Sequence, residues 1–256
     1  MKLAGKKVLV TGADSGIGAE IAKLFAQEGA DIALLYHTDK EGAERTQRAV
    51  QASGRQAFVL QNDVMDSLNV NRAMDTVINE FGAIDILENS AGKSMGGTPV
   101  VELDDDQLDV ILNTDLKGPF YFSRAFIKHR LARGGQGRIV LISSVAGHLP
   151  TPESAPYGMA KAGVNSLIRS LSREVAPNKI NVNGVAPGLI QTPMTQERLD
   201  DPQASADAMA HIPWHRAGQP EEIANVALLL ASDAGDYVTG QTWVIDGGLT
   251  MQWGGA

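Results

Sequence analysis

The sequence predicts one doubly wound α/β domain, in which helices cover both faces of a parallel sheet. A chain of 256 residues is long enough to bury one large core, and the length fits a single α/β domain. Short runs of β-branched and aliphatic residues alternate along the chain with stretches of helical periodicity. The runs are apolar throughout, as expected for parallel strands that are buried on both faces.

The predicted elements follow one another in a regular order. Between the first two strands, Ile17, Ile21, Leu24 and Phe25 recur at helical spacing, which predicts an amphipathic helix that ends at Gly29. The apolar runs that predict strands lie at 8–10, 31–36, 57–61, 84–87, 138–142, 180–186 and 242–245.

A second helix is predicted between Val70 and Phe81, since the same apolar spacing recurs there before Gly82. The longest stretch with neither pattern covers 192–216, directly after the sixth strand. Ligands of doubly wound sheets bind beyond the carboxyl ends of the strands. We therefore interpret 192–216 as a mobile lid over the binding crevice, with a plain surface insertion as the alternative.

The composition excludes several classes of function. A net charge of −8 and a pI near 5.1 argue against a nucleic-acid partner and against an anionic membrane surface, because both require a basic face. The absence of cysteine excludes disulfides, thiolate nucleophiles and cysteine-ligated metals, and no metal site is predicted. A reducing cytoplasm is compatible with this composition. We expect no signal peptide at the N-terminus, and the longest apolar run, 226–231, is too short to span a bilayer.

A glycine-rich turn, TGADSGIG at 11–18, joins the first strand to the first helix. Gly12, Gly16 and Gly18 lack Cβ atoms, so they permit a tight turn and let backbone N–H groups approach a pyrophosphate at the helix N-terminus. The spacing is G-x-x-x-G-x-G, which differs from the G-x-G-x-x-G dinucleotide fingerprint. Alone, this turn is also compatible with simple helix–strand packing.

A second group of polar residues points to acid–base chemistry. Tyr157 and Lys161 lie at i and i+4 on a predicted helix, and Ser144 comes just after the fifth strand, so the three can converge over a nicotinamide. We expect a neighbouring ammonium and a cationic nicotinamide to lower the pKa of the phenol, which suits proton transfer near neutrality. In the alternative interpretation, Tyr157 is a half-buried core residue and Lys161 a solvated charge.

These residues together resemble the short-chain dehydrogenase/reductase superfamily, and the resemblance runs nearly from end to end. Ser144 precedes Tyr157 by the thirteen positions usual in that superfamily. The other matching elements are TGADSGIG at 11–18, Asp63 in QNDV, NSAG at 89–92, PGLIQT at 187–192 and DGG at 246–248.

The resemblance implies an NAD(P)-dependent enzyme that interconverts an alcohol, or a sugar hemiacetal, and a carbonyl. Tyr157 would be the general acid/base, Lys161 would hold the nicotinamide ribose and lower the pKa of the tyrosine, and Ser144 would orient the substrate. The strand order would be 3-2-1-4-5-6-7. The residues that would hold the cofactor are Gly12, Ser15, Gly16, Ile17, Gly18, Tyr36, His37, Asp63, Val64, Asn89, Ala91, Gly92, Tyr157, Lys161, Pro187, Gly188, Ile190 and Thr192.

The resemblance also implies a homotetramer. In the superfamily, helices corresponding to 104–131 and 156–176 form a four-helix interface, and the C-terminal tail LTMQWGGA resembles sequences that pack at another interface.

Three positions depart from the pattern. Asp115 stands where the superfamily usually has the asparagine of its catalytic tetrad; it could pair with Lys161 or be a local substitution. Ser90 replaces the second asparagine of N-N-A-G, a smaller change. Glu88 occupies a position that is apolar in the superfamily, and we expect it to reach solvent at the crevice edge rather than to act in catalysis.

The cofactor preference is open from the sequence. An NAD-specific site usually has an acidic residue at the end of the second strand, where this chain has Tyr36. No acid excludes NADP there and no arginine attracts it. His37 and Lys40 favour NADP or the use of both nucleotides.

The expected substrate is a small polyol, sugar or polar ketone, and the chain looks most similar to glucose and polyol dehydrogenases, partly through its ending. Substrate contacts are expected from 93–97, from 145–156 with His148 and Glu153, and from Met194 and Trp214 in the lid. One alternative is a 3-oxoacyl carrier-protein reductase, for which Arg169 and Arg173 could contact an acidic carrier. Another is a noncatalytic NAD(P)-binding sensor or scaffold.

Overall fold

Seven parallel strands form one sheet at the centre of the computed structural model, which describes residues 1–251. Their order is β3-β2-β1-β4-β5-β6-β7, so the predicted doubly wound topology is confirmed. The strands are β1 (Lys7–Thr11), β2 (Asp31–Tyr36), β3 (Ala57–Gln61), β4 (Ile86–Asn89), β5 (Gly137–Ile142), β6 (Ile180–Pro187) and β7 (Thr242–Ile245). β4 begins and ends two residues later than the sequence predicts, and the other strands lie within one or two residues of their predicted positions.

Helices connect the strands and begin at recognisable caps. Asp39, Asp66 and Asp104 each accept a backbone N–H in the first turn of the helix that follows them. The helices are α1 (Gly16–Gln27), α2 (Lys40–Ala52), α3 (Ser67–Phe81), α4 (Asp105–Leu112), α5 (Gly118–Leu131), α6 (Ala155–Val175), α7 (Gln196–Asp200), α8 (Pro202–Ala210) and α9 (Pro220–Ala231).

Two hydrophobic layers cover the faces of the sheet. On one face, residues of α1 and α9 such as Phe25 and Ile223 pack against Val8 and Val10. On the other face, α3, α5 and α6 pack against Leu9 and its neighbours. Successive residues of β1 contribute to opposite layers because strand side chains alternate, and both layers are apolar because the sheet is covered on both sides.

The segment 192–216 is more regular than the sequence predicts. It contains α7 and α8, and Asp201 accepts the backbone N–H groups of Gln203 and Ala204 to begin α8. The segment thus contains helices although its sequence shows no clear helical pattern, and its interpretation as a lid stays a prediction. Short helices with few apolar residues give little periodic signal, so the sequence pattern does not predict them.

Glu88 is fully buried, contrary to the expectation that it reaches solvent at the crevice edge. In the register of the sheet it lies between Val10 of β1 and Val140 of β5, both fully buried. Neither carboxylate oxygen has a hydrogen-bond partner among residues 1–251. Burial raises the pKa of Glu88 well above its ordinary value of 4.5.

The last five residues of LTMQWGGA, 252–256, lie outside the described residues, so the expected interface role of this tail stays a prediction. Among the helices of the described part of the chain, none is both long and apolar enough for a bilayer crossing.

Candidate active site

A cleft of about 730 Å³ runs along the carboxyl ends of the strands, where a doubly wound sheet places its ligand. The turn after β1, the ends of β2 and β6, the segments after β3, β4 and β5, and the start of α6 all contribute to its wall. Of the predicted catalytic and cofactor residues, the wall contains Gly12, Ser15, Gly16, Ile17, Gly18, Tyr36, His37, Asp63, Val64, Ala91, Gly92, Asp115, Ser144, Tyr157, Lys161, Pro187, Gly188, Ile190 and Thr192.

Asn89 is the exception, because it lies beneath the wall. It is buried, and its Oδ1 accepts a hydrogen bond from the Thr11 hydroxyl at 3.1 Å. The same Thr11 oxygen accepts the backbone N–H groups of Ser90 and Ala91 at 3.2 and 3.1 Å. Asn89 thus ties the end of β1 to the end of β4, and the structure gives it no cleft-facing role.

At the glycine turn, the backbone of Gly12 packs directly against the backbone near Ala91 and near Gly18. Gly12 has a φ of 63°, and a Cβ there would lie 2.9 Å from the Cα of Ala91. A Cβ on Gly18 would overlap the carbonyl oxygen of Gly12. No side chain caps the N-terminus of α1, and its first turn has no acidic residue. Free N–H groups and the helix dipole therefore meet at the cleft, which fits a pyrophosphate.

The far end of the cleft is formed at the carboxyl end of β2 and beyond β3. Tyr36 is nearly buried there, whereas His37 is exposed, and Asp63 Oδ1 accepts the backbone N–H of Met65 at 2.9 Å. Asp14 also lines this end, although sequence reasoning missed it. Burial, together with the nearby charge of Asp39, raises the pKa of Asp14.

The opposite end of the cleft holds the predicted reacting groups. Ser144 directly follows β5, and its Oγ accepts the backbone N–H of Ala146 at 3.1 Å. One turn apart on α6, Tyr157 and Lys161 share a face, and Lys161 Nζ lies 5.4 Å from the centre of the Tyr157 ring. The ammonium also donates to the carbonyl of Ile142 at 3.3 Å. A hydroxyl, a phenol and an ammonium thus meet on one wall.

Asp115 forms an ion pair with Lys161, one of the two alternatives that the sequence left open. It lies in a π-helical turn, Asn113–Lys117, between α4 and α5, and is fully buried. Its Oδ2 lies 3.1 Å from Lys161 Nζ, and its Oδ1 accepts the backbone N–H of Lys93 at 2.8 Å. Single π turns often occur at functional sites in helices, where they reposition side chains.

The pair keeps Lys161 charged in a buried position. Burial alone would lower the pKa of Lys161, but Asp115 and then Tyr157 outweigh it and hold the pKa above its ordinary value of 10.5. Lys161 therefore remains an ammonium at neutral pH, with part of its charge balanced by Asp115.

The expected substrate contacts are present only in part. Residues 93–97, Val145 and Met194 line the cleft, whereas His148, Glu153 and Trp214 do not. His148 Nε2 instead lies 3.2 Å from Asn165 Nδ2. Trp214 is exposed beside the guanidinium of Arg216, 5.1 Å from the ring centre. His148 and Glu153 lie in the expected 145–156 segment and Trp214 in the expected lid, but none of the three lines the cleft.

Comparison with known proteins gives a consistent family. Residues 12–250 match a family model described as enoyl-(acyl carrier protein) reductase. The chain is 38% identical over 249 residues to 3beta-hydroxysteroid dehydrogenase 1 of Eggerthella lenta, an alignment that covers 97% of this chain and 95% of the relative. The chain belongs to the short-chain dehydrogenase/reductase family. The superfamily resemblance seen in the sequence is therefore confirmed, and the protein is an oxidoreductase of a family that uses NAD or NADP.

Other members of the short-chain dehydrogenase/reductase family match equally well over their whole length. A 3-oxoacyl-(acyl-carrier-protein) reductase of Thermotoga maritima is 37% identical over 251 residues, which is 98% of this chain and 100% of the relative. Acetoin dehydrogenase from Enterobacter cloacae superposes with a TM-score of 0.89 and 35% identity, covering 98% of this chain and 97% of that one. The names of these relatives agree on the class of enzyme and differ in substrate.

The close packing of the glycine turn leads to a prediction for this short-chain dehydrogenase/reductase. We expect Gly18→Ala to weaken dinucleotide binding at least about tenfold, because the new Cβ must displace the Gly12 carbonyl and with it the N–H groups that face the cleft. Binding can be measured by fluorescence titration with reduced dinucleotide. Gln51→Ala is the control, because Gln51 is exposed on α2 and does not line the cleft. Equal affinities of the two variants would contradict the role of the turn.

Proposed function

We propose that the protein interconverts a secondary alcohol, or a sugar hemiacetal, and the corresponding carbonyl with NAD or NADP. The observation that carries the proposal is the position of Ser144, Tyr157 and Lys161 on the wall of a cleft that begins at the uncapped N-terminus of α1. A dinucleotide in this cleft would supply or accept the hydride, which no side chain can do.

Tyr157, Ser144 and Lys161 have different roles in this proposal. Tyr157 takes the proton of the alcohol during oxidation and returns it during reduction, since its phenol is the titratable group beside Ser144. Ser144 orients the substrate oxygen through a hydrogen bond. Lys161, fixed by Asp115 and by the carbonyl of Ile142, places a positive charge beside the phenol.

We assign Asp115 a positioning role, because it acts through Lys161. It fixes the ammonium by the ion pair, and it fixes the segment after β4 by accepting the Lys93 N–H. Its charge also keeps Lys161 protonated, since burial alone would lower the pKa of Lys161. Asparagine would keep the shape and the acceptor for Lys93 but remove the charge.

Asp115→Asn is therefore expected to shift the pH dependence of alcohol oxidation. The alkaline limb of the kcat/KM profile should move to lower pH by about one unit, because burial lowers the pKa of Lys161 and the carboxylate that opposes this effect is gone. Rates measured across the pH range with saturating dinucleotide test this. Asp31→Asn, which breaks an ion pair with Lys7 away from the cleft, is the control and should leave the profile unchanged. An alkaline limb at unchanged or higher pH in Asp115→Asn would refute the positioning role.

Either nucleotide fits the proposal, with NADP favoured by the exposed His37 and by the absence of an acid at Tyr36. The segment 192–216, with α7 and α8, would close over the bound substrate. A small sugar, polyol or polar ketone is the proposed substrate, as in glucose and polyol dehydrogenases, and the proposed assembly is a homotetramer through α4, α5 and α6.

A second candidate function is reduction of a 3-oxoacyl group on acyl carrier protein. The Thermotoga maritima relative favours it, and Arg169 and Arg173 are exposed on α6, where they could contact an acidic carrier. Salt-sensitive binding of acyl carrier protein would support this function. A noncatalytic NAD(P)-binding sensor or scaffold is the alternative from another class.

The deciding experiment is a screen of sugars, polyols and ketones with each nucleotide, followed by the absorbance of the reduced nicotinamide. Turnover of a polyol, sugar or ketone supports the main proposal. Turnover confined to acyl thioesters supports the second candidate. Binding of dinucleotide without any turnover would indicate the sensor or scaffold and refute the enzyme.

A further inference from the structure

Two cationic side chains that line the cleft have no ion-pair partner among residues 1–251. They are Lys93 and Arg198, and both are exposed. The carboxylate of Asp115 is committed to Lys161, and the other acids of the cleft wall, Asp14 and Asp63, belong to the end at β2 and β3.

These two cations reach the cleft from segments that follow the two strands beside β5. β4 and β6 flank β5 in the sheet, and Ser144 follows β5. Lys93 comes from the segment after β4, and its backbone N–H reaches Asp115, the partner of Lys161. Arg198 lies in α7, after β6. A molecule bound in the cleft beside Tyr157 therefore shares that cleft with two cationic side chains.

We infer that the substrate carries an anionic group, a carboxylate, that Lys93 and Arg198 hold. Among residues 1–251, the lysines and arginines that line the cleft are Lys93, Lys161 and Arg198, and of these Lys161 is paired with Asp115. The planar guanidinium of Arg198 suits the two oxygens of a carboxylate, and Lys93 adds a point charge. Positive charge at the mouth of a cleft also attracts an anion from solution. The substrate class is then a hydroxy acid, oxidised to an oxo acid, and this inference rests on the proposed function.

The inference predicts a preference between matched compounds. Gluconate and glucitol differ in their end group, as do lactate and propylene glycol. With the full chain and saturating dinucleotide, kcat/KM for the better acid should exceed that for its neutral partner at least about tenfold, and added salt should reduce the difference. Arg198→Gln and Lys93→Gln should each lower kcat/KM for the acid about tenfold through KM, with less than about twofold effect on the neutral compound.

Controls separate the possible origins of any change. Arg48→Gln removes an exposed arginine of α2, outside the cleft, and should change neither substrate. The base of the lid contacts the glycine turn, since a Cβ on Gly16 would lie 3.2 Å from Thr192 Cγ2. Dinucleotide affinity of Arg198→Gln must therefore be measured as well. Weaker dinucleotide binding would assign Arg198 to the cofactor phosphates and overturn the inference.

Calorimetric titration of the acids into the enzyme with NADH gives a readout that needs no turnover. Binding of an acid and not of its neutral partner, lost in Arg198→Gln, supports the inference. No binding of any acid, or equal binding of the neutral compound, overturns it. An acid that binds while neither it nor any alcohol, sugar or ketone is turned over leaves the anion site standing and refutes the proposed function, so the two failures are distinguishable.

Discussion

Replacing Tyr157 with phenylalanine is expected to lower kcat for alcohol oxidation about a thousandfold, because positioned general acid–base catalysis contributes rate factors of about 10² to 10⁴. Nothing near the phenol can replace it. The ammonium of Lys161 is engaged with Asp115 and with the carbonyl of Ile142, and the Ser144 oxygen accepts an N–H from Ala146. The dinucleotide should still bind, since most of the residues proposed to hold it lie at the glycine turn and beyond.

The measurement has two parts. Turnover is followed by the absorbance of the reduced nicotinamide, and the dissociation constant of the dinucleotide by fluorescence titration, which should change less than about threefold. Tyr237→Phe removes a hydroxyl from a fully exposed tyrosine remote from the cleft and is the matched control. Activity of Tyr157→Phe within a few-fold of the parent would show that the phenol takes no part in the reaction.

The fold and the backbone part of the site could be predicted from the sequence because both depend on local patterns. Alternating apolar runs and helical stripes give a doubly wound sheet, and such a sheet places its ligand at the carboxyl ends of the strands. The glycine turn is contiguous in sequence, so its residue types and their neighbours can be read directly. Tyr157 and Lys161 are one helical turn apart, which fixes their common face without tertiary information.

The remaining features depend on tertiary contacts. Asp115 meets Lys161 only because a π turn interrupts the helical region from α4 to α5 and α6 packs beside it. Sequence reasoning missed Arg198 because α7 gives no periodic signal. Loop backbone decides where a side chain points, and for that reason His148 and Trp214 fall outside the cleft although their segments contribute to it.

The burial of Glu88, in a strand, is another feature that depends on tertiary contacts. The sequence indicates a carboxylate in an apolar run. How deeply the Glu88 side chain is buried follows only from the strand order, which sets β4 between β1 and β5. A central position leaves no route to solvent, whereas the same residue on an edge strand could reach it.

Glu88→Val is expected to stabilise the protein by about 2 kcal/mol at neutral pH, because the parent buries a carboxyl with no hydrogen-bond partner among residues 1–251. Valine matches the flanking Val10 and Val140 and suits a central strand. The free energy of unfolding can be measured by urea titration at fixed protein concentration and monitored by circular dichroism. A variant less stable than the parent would mean that the carboxyl is satisfied in the folded protein.

The pH dependence separates the ionisation of Glu88 from its shape. Since the folded-state pKa lies above the ordinary value of 4.5, the native state binds this proton more tightly than the unfolded state. The contribution to stability is therefore complete below that value and is lost as pH rises towards the folded-state pKa, by at most about 1.4 kcal/mol per pH unit. Glu88→Gln keeps the length of the side chain and cannot ionise. Its advantage over the parent should grow between about pH 5 and about pH 9, in parallel with that of Glu88→Val. A constant difference across this range would mean that Glu88 titrates alike in both states, which a fully buried carboxyl between two valines cannot do.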